Sequence, residues 1–182
     1  MNLEFPIPGV FLFDLKCHED NRGFFIKHFE KASLQRMGIT FETWETFYSS
    51  SQKGVIRGMH FQEPPTDQDK LVHCMRGKIL DVLLDLRKGK SYGKVFSTVL
   101  DSTVPQSLFI PKGIAHGFLS LEEDSWVSYS VSTAYDPEKD RGIHWNSFGF
   151  DWGVKEPIVS GRDQGHPAFN HYESPFTDSL RG

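Results

Sequence analysis

The chain has 182 residues, enough for one domain with its own core, and 14 % of them are aromatic, with sixteen Phe among them. A net charge of −4 without a basic run argues against nucleic acid as the main partner, while scattered Arg and Lys could still meet a small phosphate ligand. Two cysteines, Cys17 and Cys74, with no CxxC pair read as reduced thiols of a cytoplasmic protein, and no stretch approaches the ~18 apolar residues of a membrane span. The start, MNLEFPIPGVFLFDL, lacks the charged and long apolar regions of a signal peptide.

In chain order, short runs between Pro and Gly predict strands over Val10–Leu15, Gly23–Phe29, Trp44–Ser50, Val55–Phe61 and Leu71–Met75. They continue over Lys78–Leu86, Lys94–Leu100, Gln106–Ile110, His116–Ser120 and Val127–Ser132. Lys78–Leu86 alternates most clearly: Leu80, Val82, Leu84 and Leu86 share a core face, opposed by Asp81, Leu83 and Asp85. One helix, Lys31–Met37, stops at Gly38, a residue suited to a left-handed helix end. From about Asp136 the chain is less regular and is expected to carry one or two short helices, with 150–182 a less regular tail. No repeat or linker divides residues 1–182, so a single all-β sandwich, jelly roll or barrel with few helices is expected.

Chemistry concentrates in Gly54–Arg87, where Arg57, His60, Gln62 and Lys70 surround a Pro-Pro turn. The segment Pro111–His116 matches P-x-G-x-x-H, half of a metal-binding cupin signature, but the H-x-H half is missing because Gln62 stands where the second His would be. Two His without a third ligand make a poor zinc or iron site, so no metal is expected. His60 lies between two cations that favour the neutral imidazole, the form a general base needs, and Asp163 is one candidate to orient it. The alternative is a strand histidine satisfied by backbone. Tyr129 and Tyr135 share a face if one strand carries both, and either could donate a proton or stack on a ring. Arg22 could clamp a phosphate bidentately or pair with Asp20 on the surface.

These motifs together resemble the dTDP-4-dehydrorhamnose 3,5-epimerase family of nucleotide-sugar epimerases. The resemblance rests on DxRGFF at Asp20–Phe25, S-x-x-x-x-GV-x-RG-x-HFQ-x-PP at Ser49–Pro65, Q-x-KLV at Gln68–Val72 and G-x-I-x-DV-x-x-DLR at Gly77–Arg87. It continues through IP-x-G-x-AHGF at Ile110–Phe118, Tyr129, Y-x-P at Tyr135–Pro137 and GI-x-W at Gly142–Trp145.

The resemblance implies a cupin-type jelly-roll β-barrel with short peripheral helices, and a homodimer whose N-terminal strands are exchanged. It implies no metal or other cofactor, and a cytoplasmic role in deoxysugar, lipopolysaccharide or O-antigen biosynthesis. The substrate it implies is a nucleotide-diphosphate-linked 4-keto-6-deoxy sugar, epimerised at C3 and/or C5 through an enolate. By the same resemblance His60 is the base, Asp163 its partner, Tyr129 the acid on the opposite sugar face, and Lys70 the cation at the enolate oxygen. Arg57, His116 and the partner-directed Arg22 hold sugar and pyrophosphate, with Gln62 and Phe25 among the binding residues, and Tyr135 stacks near base or sugar. A cation aimed at such an oxygen contributes roughly 3–4 kcal/mol.

The chain departs from the family where the nucleotide base is read. Glu45 and Phe47 replace a Gln-x-Asn pair, Lys27 replaces a Glu, and Gly161-Arg162 replaces a Ser/Glu-Lys pair. A carboxylate only accepts hydrogen bonds, which suits an amino-bearing base. The alternative expectation is therefore a C3-only epimerase on a CDP- or GDP-linked sugar. More distant alternatives are a non-catalytic sugar-nucleotide-binding cupin and a metal-dependent cupin enzyme.

Overall fold

Period-two alternation folds most of the chain into two sheets that face each other. The computed structural model describes residues 7–177 and the backbone of residues 3 and 4. The first sheet runs, in spatial order, β1 (Leu3–Glu4), β2 (Phe11–Asp14), β10 (Gln106–Ile110), β7 (Lys70–Arg76), β12 (Ser125–Val131) and β5 (Glu45–Ser51). The second runs β13 (Asp140–Gly142), β6 (Val55–Gln62), β11 (Ile114–Ser120), β8 (Lys78–Asp85) and β9 (Val95–Asp101), with β14 (Ile158–Val159) parallel to β6. All other pairings within these sheets are antiparallel. This is the expected jelly roll.

Apolar side chains from both inner faces meet between the sheets: Val72, Cys74, Leu108 and Val127 from the first, Ile79, Leu83, Leu100 and Phe118 from the second. Each outer face is also covered, which explains why so many strand positions are buried. Helix α1 (Lys31–Arg36) packs Leu34 with Ile39, Phe41, Leu71 and Phe109 on the first sheet. The C-terminal segment lays Trp152 and Phe176 over Ile56, Phe61, Val82 and Leu84 on the second. Both faces of β8 are therefore occupied. Its leucine face meets the C-terminal segment, and Asp81 and Leu83 point inward.

Two expectations need correction. Gly23–Phe29 is not one long strand. β4 (Gly23–Ile26) forms a hairpin with β3 (Cys17–Asp20), a strand missed because CHED carries no apolar alternation and is exposed throughout. Among the described residues that hairpin pairs with neither large sheet. Tyr129 and Tyr135 do not share a strand, since β12 ends at Val131. The tail carries the short helices expected of it. It supplies β14, helix α2 (Gly161–Gln164) and a 3-10 turn at Phe169–His171. Among the described residues no helix is long and apolar enough to cross a membrane.

Candidate active site

At one end of the space between the sheets lies a cavity of about 330 Å³ whose lining draws on both. His60 and His116 enter from the second sheet, on β6 and β11, where they sit directly opposite each other in register. Lys70 and Tyr129 enter from the first, on β7 and β12. Arg57, Gln62, Phe47, Tyr135 and Arg162 complete the expected residues in the lining.

The imidazole of His60 is bonded through Nε2 to Asp163 Oδ1 at 2.7 Å, which leaves Nδ1 as the nitrogen without that partner. Asp163 is held firmly. Its amide donates to the Ser160 hydroxyl at the N-cap of α2, and its Oδ2 accepts from the Gly58 amide at 3.0 Å. Burial pushes the Asp163 carboxyl up, but His166, His60 and the Gly58 amide outweigh it and hold the group well below the usual carboxylate range. Burial lowers the His60 pKa, and the nearby Lys70 and Arg162 charges add to this against the pull of Asp163. Its place in the sequence makes Arg57 an expected member of this cation set. Arg57 instead donates to the Ser51 hydroxyl at 2.9 Å and the Ser50 carbonyl at 3.0 Å.

Lys70 is almost fully buried, and its ammonium donates to the main-chain carbonyl of His60 at 3.0 Å. Burial drags its pKa down to about 8, against the raising effect of Asp140 and Asp81. Burial drives the Tyr129 phenol far above its ordinary value, opposed by Ser49 and Arg57, so it stays protonated at neutral pH. Its ring stacks on Phe47 at 5.0 Å between centroids and meets the His116 ring edge-on at 6.0 Å. His116 is itself anchored by Asp81 through a 2.7 Å bond.

Other expected residues are placed less simply. Gln62 lines the cavity, yet its amide donates to the Thr66 and Ala134 carbonyls and its oxygen accepts from the Asp136 amide. It clamps the loops around the mouth. Glu45 accepts from the Tyr135 amide at 3.2 Å at that same mouth. Tyr135 is exposed and donates its hydroxyl to Asp140, which also receives Arg162 at 2.6 Å. Arg22, Phe25 and Lys27 lie on or beside the β3–β4 hairpin, outside the cavity lining, with Arg22 paired to Asp20 in its own turn. The sequence reading missed Asp140, Asp81, Gln68 and Ser49, and also His166, which follows Asp163 by three residues and packs edge-on against His60 at 5.8 Å.

The family model described as dTDP-4-dehydrorhamnose 3,5-epimerase matches residues 4–171. The chain belongs to this family of epimerases. An enzyme of that name from Shigella flexneri is 37 % identical over 161 residues, covering 86 % of this chain and 89 % of that protein. Among solved structures, a dTDP-6-deoxy-D-glucose-3,5-epimerase from Legionella pneumophila in complex with dTDP-4-keto-L-rhamnose superposes with a TM-score of 0.92 at 29 % identity. It covers 98 % of this chain and 99 % of that one. A 3'-monoepimerase from Streptomyces bikiniensis in complex with dTDP-quinovose, 28 % identical, superposes with a TM-score of 0.83 over 90 % of this chain and 86 % of that one. As a member of this family the chain is an isomerase.

Proposed function

We propose that the cavity epimerises a dTDP-linked 4-keto-6-deoxyhexose at C3 and C5. The observation that carries this reading is that His60 and Tyr129 reach one cavity from opposite sheets, with Lys70 also in its lining. The 4-keto group acidifies its neighbouring C–H bonds. His60 takes the proton through its remaining nitrogen while the electron pair moves on to the C4 oxygen, where the Lys70 ammonium meets it. The pair then returns, and the Tyr129 phenol delivers its proton to the opposite face of the carbon. His60 is left protonated and Tyr129 ionised, and exchange with water resets both.

The relatives act on or bind dTDP-sugars, which favours that carrier over CDP or GDP despite Glu45 and Lys27. The lining contains an imidazole, a buried phenol and a cation in the arrangement that proton transfer needs, which favours an enzyme over a passive binding barrel. We place it in the cytoplasm, where the unpaired Cys17 and Cys74 stay reduced, in the synthesis of a cell-surface deoxysugar. We also propose a homodimer. The β3–β4 hairpin exposes Phe24 and Phe25 and joins neither large sheet, as a segment that packs on a partner would. Arg22, Phe25 and Lys27 then complete the partner's cavity.

The test is incubation in D₂O with dTDP-, CDP- and GDP-4-keto-6-deoxyglucose in turn, with exchanged hydrogens located by proton NMR and mass spectrometry. Deuterium at C3 and C5 of the dTDP sugar supports the reading, and deuterium at C3 alone assigns a monoepimerase. Equal use of all three nucleotides removes carrier selectivity. Absence of exchange with any of them overturns the enzyme reading.

A further inference from the structure

Asp163 Oδ1 is approached by two imidazole nitrogens, not one. His60 Nε2 bonds it at 2.7 Å from the cavity side, and His166 Nε2 stands 3.6 Å away on another side. The second distance is too long for a hydrogen bond, and among the described residues His166 Nε2 is buried with no other partner. A buried, unpartnered ring nitrogen aimed at a carboxylate is unusual enough to need a reason. The surrounding chain makes room for it. Gly142 lies opposite His60 in register, and a Cβ there would collide with the His166 ring. One atom from each of His60, Asp163 and His166 falls within 4.8 Å of the other two.

We propose that His60, Asp163 and His166 form an inhibitory binding site for Zn²⁺ or a similar imidazole-seeking divalent metal. Two imidazoles and one carboxylate make a recurrent three-ligand set with an open fourth position. The Asp163 carboxylate is ionised and fixed by the Gly58 amide, so it brings the negative charge without rearranging. The Lys70 and Arg162 charges near His60 oppose any dication, which selects metals that gain from nitrogen ligands and disfavours Mg²⁺ and Ca²⁺. Inhibition follows from proton bookkeeping. The metal occupies the Nε2 lone pair of His60 in place of the proton shared with Asp163. That proton shifts to Nδ1, the nitrogen that has to accept the substrate proton, and the base is blocked.

The inhibition half of this inference rests on the epimerase reading, whereas metal binding does not. The experiment is therefore calorimetric titration of the metal-free protein with ZnCl₂, alongside the D₂O exchange assay with and without Zn²⁺. Expected are one Zn²⁺ per chain, little response to Mg²⁺, and loss of exchange that EDTA reverses. His166→Ala is expected to bind Zn²⁺ at least about 100-fold more weakly than the wild type, since losing even an outer partner of a metal site costs roughly 10–100-fold. His166→Gln serves the same purpose if the alanine variant does not fold. Absence of stoichiometric Zn²⁺ uptake, or equal uptake by the His166 variants, overturns the site. Uptake without loss of exchange overturns its inhibitory role. A metal-free wild type that exchanges nothing counts against the proposed reaction, while calorimetry still decides the metal site.

Discussion

The Lys70 ammonium donates to the main-chain carbonyl of His60 over 3.0 Å, so the cation and the proposed base are tied through the backbone of His60 itself. The lysine is buried among strands, and its pKa falls from 10.5 to about 8. A lysine whose folded pKa is depressed costs stability whenever it is charged. Below about pH 8 both folded and unfolded states hold the proton and the cost is complete. Between about 8 and 10.5 the unfolded chain binds more protons, so stability rises with pH there. Lys70→Met is accordingly expected to stabilise the protein near neutral pH by up to roughly 3 kcal/mol, read from urea midpoints, while abolishing most enolate formation. A destabilised and still active variant would contradict this role.

The pH profile of kcat/KM is expected to be bell-shaped. Its acid limb lies below the ordinary imidazole value, because burial lowers the His60 pKa. Its alkaline limb lies near about 8, where Lys70 loses its proton. An alkaline limb that survives unchanged in Lys70→Arg would assign that limb to another group.

Asp163→Asn should cost about 10²–10⁴-fold in exchange with little loss of stability. An amide in place of the carboxylate can donate to His60 Nε2, which leaves the proton on Nδ1 and so presents a donor where a base is needed. His60→Ala should lose as much. Tyr129→Phe should separate the two half-reactions: hydrogen exchange by His60 persists while inverted product falls. Proton NMR of the sugar distinguishes these patterns.

Gly58→Ala is expected to destabilise the fold by roughly 2–5 kcal/mol. Gly58 has φ +140°, and a Cβ there would press into the Gly117 backbone on the neighbouring strand. The same shift withdraws the Gly58 amide from Asp163, so activity should fall further than stability explains. Thermal melts paired with kinetics test this.

Arg22 offers a test of subunit exchange. If it serves the partner's cavity, mixing Arg22→Ala with His60→Ala subunits creates one intact site per heterodimer, and activity reappears from two impaired proteins. No recovery after unfolding and refolding together would place Arg22 in its own subunit's chemistry or outside the site.

Much of this was legible beforehand because alternation reports faces directly. The strands carrying Arg57, His60, Lys70, His116 and Tyr129 were located to within one or two residues, and His60 with Asp163 was named as a pair across a long separation. What could not be seen was which partner each charged group would choose. Gln62 was read as a ligand contact, yet three main-chain groups engage it. Arg57 turned to Ser50 and Ser51, and Arg162 took its place among the cations near His60. His166 escaped because a lone histidine after a four-residue helix has no periodicity, and only folding brings it against Gly142 and Asp163.

The proposed base, His60, stands on β6 in one sheet and the proposed acid, Tyr129, on β12 in the other, with apolar side chains such as Val72, Leu83 and Leu108 filling the space between the sheets. Stereochemical fidelity is therefore a mechanical property of the interior. The spacing of the sheets sets how close His60 and Tyr129 can both stand to a carbon held between them. Trimming a methylene from a residue that never meets the sugar would loosen that spacing. Such a variant would return more protons to the face they left, so that turnover without inversion becomes the mark of a softened core.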